Sequence, residues 1–221
     1  MMNSLGKSMC HSLFETIKIV DGCPALLHWH QARVDHVFES LGLSKRAIPH
    51  LSARLASCVI PPKGVYKCRI DYRTDGEVNE PVFALYSPRL IDVLHGIDAP
   101  ALDYSHKWAD RATLSELGAE LPIDDEVLIL RDGWVTDTRY SNVVFGDPHE
   151  HDCPWVTPTT YLLKGVKRSS LLASGEIIQR AISWRDVARY PYCSLINAML
   201  DPGDVVIPVS RIIKKGLGTT L

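Results

Sequence analysis

An α+β fold in two small subdomains is what this chain predicts, and three observations carry it. Strand-like segments outnumber helical ones, and neighbouring strands are joined by local turns such as Asp21-Gly22 and Asp132-Gly133. The helical segments are interspersed among them without the regular alternation of a parallel α/β fold. The third observation is a break in texture. DAPALDYSHKWADR, residues 98–111, has little periodicity and holds Pro100, so it predicts a connection that carries function. We therefore expect an N-terminal subdomain over 1–100 and a C-terminal one over 101–221, meeting near 98–107.

Each element follows from its own pattern. LFETIKIV (13–20) is rich in β-formers and runs into Asp21-Gly22, then the apolar PALLHW. From His30 to Leu41, the residues Val34, Val37, Phe38 and Leu41 recur at helical spacing, and Gly42 stops the helix. A second helix is expected across Leu51–Ile60, ended by Pro61-Pro62. VYKCRIDY (65–72) and PVFALYS (81–87), joined by a turn at 74–77, read as a hairpin, and LIDVLHGI (90–97) as another strand. Beyond the connection, ATLSELGAEL reads as helix and EVLILRDGWVTD (126–137) as strand, turn, strand. SNVVF (141–145) and WVTP (155–158) continue the sheet, and VKRSSLLAS (166–174) is a helix closed by Gly175. CSLINAML and DVVIPV are strand-like, and no repeat or low-complexity segment interrupts the chain.

Composition narrows the partners. The 221 residues carry 24 basic and 26 acidic side chains, a net charge of −2, which is not the footprint of a nucleic-acid or membrane-seeking protein. Small molecules and other proteins are the expected partners. Six scattered cysteines without a CxxC argue against a disulfide framework or zinc ribbon and suit a reducing compartment. MMNSLGKSMCHS has no long apolar stretch, so neither a signal peptide nor a membrane span is expected there, and a cytoplasmic location is.

Local chemistry offers several candidates. His28 and His30 flank Trp29, and His149, His151 and Cys153 alternate in HEHDC, so either group could in principle grip a metal. HEHDC lies in a polar, proline-bounded loop and His28-His30 at a junction into a helix, so no metal site is expected. Asp35 and Glu39 share a helix face, which reads as a solvated surface. No nucleophile elbow, P-loop or Rossmann glycine pattern is present. GVKRSS (165–170) is more specific, because a glycine opening a helix leaves free N–H groups at the positive end of the dipole, which suits a phosphate. Arg33 lies early in its own helix, where a salt bridge is its simplest role.

Taken in order, these pieces resemble the class IV aminotransferase family, the fold-type IV enzymes that use pyridoxal 5'-phosphate. The resemblance runs through FETIKIVDG (14–22), HQAR (30–33), KWADR (107–111), DGWVTDTRYSN (132–142), WVTP (155–158) and GVKR (165–168) to LINAML (195–200) and IPV (207–209). It implies a D-amino-acid aminotransferase-like fold with the cofactor between the subdomains, in a homodimer acting on a small amino substrate. Lys107 matches the lysine that forms the Schiff base with the cofactor aldehyde and later carries a proton at the substrate α-carbon. Burial or nearby positive charge would have to depress its pKa, and Tyr104 and Trp108 are the expected dry walls. Arg33 matches the arginine that holds the cofactor phosphate, and Gly165, Val166 and Lys167 match the loop whose amides complete that cup, with the Lys167 side chain pointing outward. Asn142 and Thr157 match recurrent positions near the cofactor.

The departures are as informative. Asp137 stands where the family usually has the glutamate that bonds the pyridine nitrogen, the same charge on a side chain one methylene shorter. Asp110 stands where the lysine motif often has asparagine, and about a dozen residues precede Phe14 where the family has more, so part of the small subdomain is expected to be missing or rebuilt. Among the family's reactions, LINAML resembles the Cys-Asn-Ala-Leu stretch of aminodeoxychorismate lyases more than the Gly-Thr-Ala or Ser-Thr-Thr stretches of branched-chain and D-amino-acid transaminases, with Asn197 as the residue in question. A lyase yielding 4-aminobenzoate and pyruvate, on the route to folate, is therefore the leading expectation. A transaminase comes second, and a non-catalytic protein that keeps the fold third.

Overall fold

The computed structural model describes residues 10–150 and 153–214. Its first sheet has four strands in the order β2-β1-β3-β4, formed by β1 (Ser12–Val20), β2 (Cys23–Pro24), β3 (Val65–Arg73) and β4 (Val82–Leu85). β1 and β3 pair antiparallel along their whole length, from Ser12↔Arg73 to Val20↔Val65. Between β2 and β3 the chain forms α1 (Leu27–Ser40) and α2 (Leu51–Ala56). Strand alternation then decides what each face does. Leu13, Ile17, Ile19, Cys68, Ile70 and Tyr72 face a core closed by Val34, Val37 and Phe38 of α1 and Leu51 and Leu55 of α2. The opposite face carries Phe14, Thr16, Lys67 and Arg69 and looks onto a cavity.

The second sheet has nine strands. Its main path runs β10-β9-β8-β7-β6-β5-β13, with β11 pairing to both β8 and β12. These are β5 (Val93–Asp98), β6 (Asp125–Arg131), β7 (Trp134–Thr138), β8 (Asn142–Gly146), β9 (Trp155–Pro158), β10 (Ile177–Arg180), β11 (Tyr192–Ile196), β12 (Val206–Pro208) and β13 (Ile212–Lys214). Two helices serve it, α3 (Ala112–Glu116) and α4 (Val166–Ser174), the latter closed by Gly175 at φ 78° in the left-handed conformation that glycine accepts freely. One core packs Leu128, Leu130, Val143, Phe145, Cys193, Leu195 and Ile207, and a smaller one lies under α4 around Val144 and Ile196.

Several expectations need correcting. α1 begins at Leu27, before His30, after Leu26 adopts a left-handed φ of 54° that turns the chain out of the hairpin. α2 ends at Ala56, well short of Ile60. α3 ends at Glu116 and the chain then turns through Gly118, where any Cβ would run into the Arg139 guanidinium. LINAML is strand only to Ile196, after which a turn links Asn197 to Leu200. β10 and β13 are short strands with too few residues for period two to register. The expected division at 100/101 falls after β5, whereas β5 pairs with β6 and β13 inside the larger sheet.

Candidate active site

The two sheets enclose a cavity of about 330 Å³ to which both contribute. A larger hollow of about 600 Å³ also borders Arg33, but neither Lys107 nor Asp137 lines it, so the smaller cavity is where the expected site residues meet. Lys107, Arg33, Asp137, Asn142, Gly165, Val166 and Asn197 all line this cavity.

Lys107 is placed by its main chain. The Phe14 N–H donates to the Lys107 carbonyl at 3.1 Å, the Ala109 N–H donates to the Ser12 carbonyl at 2.9 Å, and Leu13 bridges to Trp108. The connection thus behaves as a short added strand along β1. Its side chain turns into the cavity, with Nζ 4.6 Å from the centroid of the Phe14 ring. Burial first, then the charge of Arg33, depresses the Lys107 ammonium to about 7, with Arg111 and Arg69 adding to the effect and Glu15 opposing it. An amine that is half deprotonated near neutrality is a usable nucleophile and base. Tyr104 lines the cavity as expected, but Trp108 does not. Its ring packs beside His11 and His106, and Phe14 provides the wall instead.

Arg33 projects from α1 against Glu15 of β1. Its Nε donates to Glu15 Oε1 at 2.8 Å and one Nη to Oε2 at 2.5 Å, while His30 Nδ1 lies 2.5 Å from the same Oε2. Burial alone would raise the Glu15 pKa, but Arg33 and His30 outweigh it and hold the carboxyl down at about 2. This grip fixes one edge of the guanidinium and leaves the remainder toward the cavity. Beside it, the buried His30 Nε2 and Tyr72 hydroxyl have no protein partner.

Asp137 sits on β7 in a different setting. Its Oδ2 accepts from the Leu162 and Leu163 amides, each at 2.9 Å, and its Oδ1 from Asn142 Nδ2 at 2.8 Å. Burial nevertheless dominates these hydrogen bonds and the charge of Arg168, and raises the carboxyl to about 6. Asn142 also donates to the Leu163 carbonyl at 3.0 Å, so it ties the acid to the segment that leads into α4. Gly165 is the N-cap of α4 and no side chain caps it, so the first amides of the helix stay available. A Cβ at Gly165 would overlap Asn142 Oδ1, so the close approach requires glycine.

The remaining expected residues have other occupations. Lys167 does not point freely outward: its ammonium contacts Asp201 Oδ1, and Lys18 of β1 reaches Asp201 Oδ2 at 3.3 Å. Asn197 orders the turn at the cavity wall, accepting from the Met199 and Leu200 amides at 2.8 and 3.1 Å and donating to Ser141 Oγ at 2.9 Å. Thr157 is fully buried off the cavity, donating to the Val143 carbonyl and accepting from Arg168. Asp110 stabilises the turn into α3 by accepting from the Ala112 amide at 3.0 Å. Of the metal candidates, His30 is committed to Glu15, His149 meets the Tyr192 ring edge-on, and His151 lies outside the described residues.

Sequence reasoning missed Phe14, Glu15, Arg69, Arg111, Arg139 and Tyr140. One signal was available: Glu15 falls in the apolar column Leu13, Ile17, Ile19, and a carboxylate there requires buried partners.

The donor set fits pyridoxal phosphate. A depressed lysine amine suits its aldehyde, and a pinned arginine beside an uncapped helix N-terminus suits its phosphate. A buried carboxylate that ionises near pH 6 suits its ring nitrogen.

No family model matches the chain. It is 30% identical over 190 residues to an uncharacterized protein of Haemophilus influenzae, covering 86% of this chain and 98% of the relative. Among solved structures, one from Haemophilus somnus, described provisionally as a 4-amino-4-deoxychorismate lyase, is 30% identical. It superposes with a TM-score of 0.74 over 86% of this chain and 96% of its own. A fold IV-transaminase from Curtobacterium pusillum, 19% identical, shares the fold at a TM-score of 0.67, covering 92% of this chain and 79% of that one.

Proposed function

Because the chain belongs to the class IV aminotransferase family, the fold-type IV enzymes that use pyridoxal phosphate, we propose that it is a lyase of the aminodeoxychorismate type, releasing pyruvate and 4-aminobenzoate. The observation that carries this reading is Lys107, whose amine, with a pKa near neutrality, enters a cavity that Asp137 also lines. The 30% identity to the Haemophilus somnus protein, over nearly all of that chain, supports lyase chemistry in particular. The bound cofactor supplies an electron sink for the carbanion at the substrate α-carbon.

The chain's own residues have these roles. Lys107 would hold the cofactor through its amine and move the proton at the substrate α-carbon. Arg33, oriented by Glu15, and the amides of Gly165, Val166 and Lys167 hold the phosphate. Asp137, steadied by Asn142 and the Leu162 and Leu163 amides, would hold its charge against the ring nitrogen and favour the protonated ring. Asn197 shapes the substrate side of the wall. We also propose that the protein is a homodimer, for which the exposed Val82 and Leu85 of β4 and the nearby Leu90 offer apolar surface, and that it acts in the cytoplasm, where its six free cysteines would stay reduced.

The test is borohydride reduction of protein incubated with pyridoxal phosphate, followed by peptide mapping and a pyruvate-release assay with aminodeoxychorismate. We expect one labelled peptide bearing Lys107, and release that Lys107→Ala abolishes. Label spread over surface lysines would defeat the reading. Amino transfer to a keto acid in place of pyruvate release would establish the transaminase reading. A labelled protein with neither activity would be a non-catalytic member.

A further inference from the structure

Among the described residues six cations line the cavity, Arg33, Lys67, Arg69, Lys107, Arg111 and Arg139, against a single acid, Asp137. Most of that charge is answered locally. Arg33 is gripped by Glu15, Arg69 by Asp71 through hydrogen bonds of 2.7 and 2.6 Å, and Arg139 by Glu126 at 2.5 Å. Lys107 is half deprotonated near neutrality. Arg111 is different. It is partly buried, yet its protein partners are neutral: one Nη donates to the Tyr104 hydroxyl at 3.3 Å and the other to the Arg139 carbonyl. Its guanidinium lies 4.5 Å over the Tyr140 ring. Neutral acceptors and an aromatic face fix the orientation of the fork without cancelling its charge. A partly desolvated cation held in this way is costly until an anion meets it. Lys67, exposed on β3 and also without an acidic partner among the described residues, adds a second uncompensated charge to the same cavity.

We propose that Arg111, assisted by Lys67, binds a carboxylate of the amino substrate and selects for acidic substrates. This rests on the cavity being the amino-substrate site. It also agrees with the proposed reaction, because pyruvate and 4-aminobenzoate each leave with one carboxylate, so their parent carries two. Arg33 and the start of α4 form a separate anion site for the phosphate, so Arg111 remains for the substrate. Arginine suits the task because its planar fork can offer a carboxylate two parallel hydrogen bonds.

The experiment measures binding of 4-aminobenzoate and of its neutral isostere 4-aminobenzamide to the cofactor-loaded protein, alongside steady-state kinetics. We expect the wild type to prefer the acid by about tenfold or more, the usual worth of a charge-assisted hydrogen bond. Arg111→Gln should abolish that preference and raise KM more than it lowers kcat. Arg111→Lys should keep most of the preference, and Lys67→Gln should reduce it, which guards against a folding defect in one variant. Cofactor affinity should not change in any of them. Equal binding of acid and amide, failure of the acid to bind, a preference that survives Arg111→Gln, or weakened cofactor affinity would each overturn the proposal. The pyruvate assay is judged separately. Release with no role for Arg111 would leave the lyase reading standing, and an acid preference lost in Arg111→Gln without release would leave only the anion site.

Discussion

Glu15 and Asp137 are both buried carboxylates, one beneath each side of the same cavity, yet the fold moves their pKa values in opposite directions. Glu15 is clasped by a guanidinium and an imidazole and falls to about 2, while Asp137 is held by three neutral N–H donors and rises to about 6. A formal charge within a few ångströms overcomes the cost of burial, and neutral dipoles overcome only part of it. The first acid is therefore a fixed brace that positions Arg33. The second is poised near neutrality and gains most when a cation arrives, as a protonated ring nitrogen would be. Similar burial has produced a scaffold in one place and a reactive group in the other.

The contrast breaks most visibly at Glu15. Glu15→Gln leaves Arg33 buried without its counter-charge, so we expect a loss of about 3–5 kcal/mol in urea unfolding, with weaker cofactor retention on dialysis. Asp137→Asn should do the reverse. Its stability should be unchanged or higher, because the fold disfavours the ionised acid, while turnover falls by about 10²–10³-fold through loss of the charge opposite the ring nitrogen. A variant that unfolds, or one that retains full activity, would remove Asp137 from the role proposed for it. Gly165→Ala presses a methyl group on Asn142, which anchors that acid, and should cost about 1–3 kcal/mol while loosening cofactor binding.

The smallest effect concerns pH in the cofactor-free protein. Asp137 holds its proton in the folded chain up to about 6 but releases it near 3.8 when unfolded, so folding takes up a proton between those values. Acidifying from pH 7 to 5 should therefore raise stability by about 1 kcal/mol through this group, a gain absent from Asp137→Asn. Glu15 works with the opposite sign. Its contribution is fully present above 4.5 and is lost as pH falls toward 2, so Glu15→Gln should flatten the acid limb. Thermal melts of the three proteins across pH 2–7 would check both windows.

How much of this could be read in the sequence follows from where each residue gets its instructions. β1, β3, α4 and the Gly175 stop were legible because local pattern alone dictates them. Lys107, Arg33, Asp137 and Gly165 came from motifs in their family order, and all four line one cavity. Arg69 and Arg111 were not legible, since one lies in a strand and the other beside a short helix, each looking like an ordinary surface cation. Their cavity positions follow from the facing of two sheets, and nothing in their immediate neighbours in sequence encodes that. Trp108 does not wall the lysine beside it, because consecutive residues of an extended segment point to opposite sides, which adjacency in sequence does not reveal.

That last geometry has a consequence for tolerance to mutation. Lys107 is anchored through its own carbonyl to the amide of Phe14, so the pairing of β1 with the connection acts as a ruler for where its amine enters the cavity. A slip of a single residue there would shift the amine by about 3.3 Å and turn it to the other side of the strand. Insertions and deletions between Ser12 and Trp108 should thus be judged by whether they preserve that alignment, even where they fall far from the cavity.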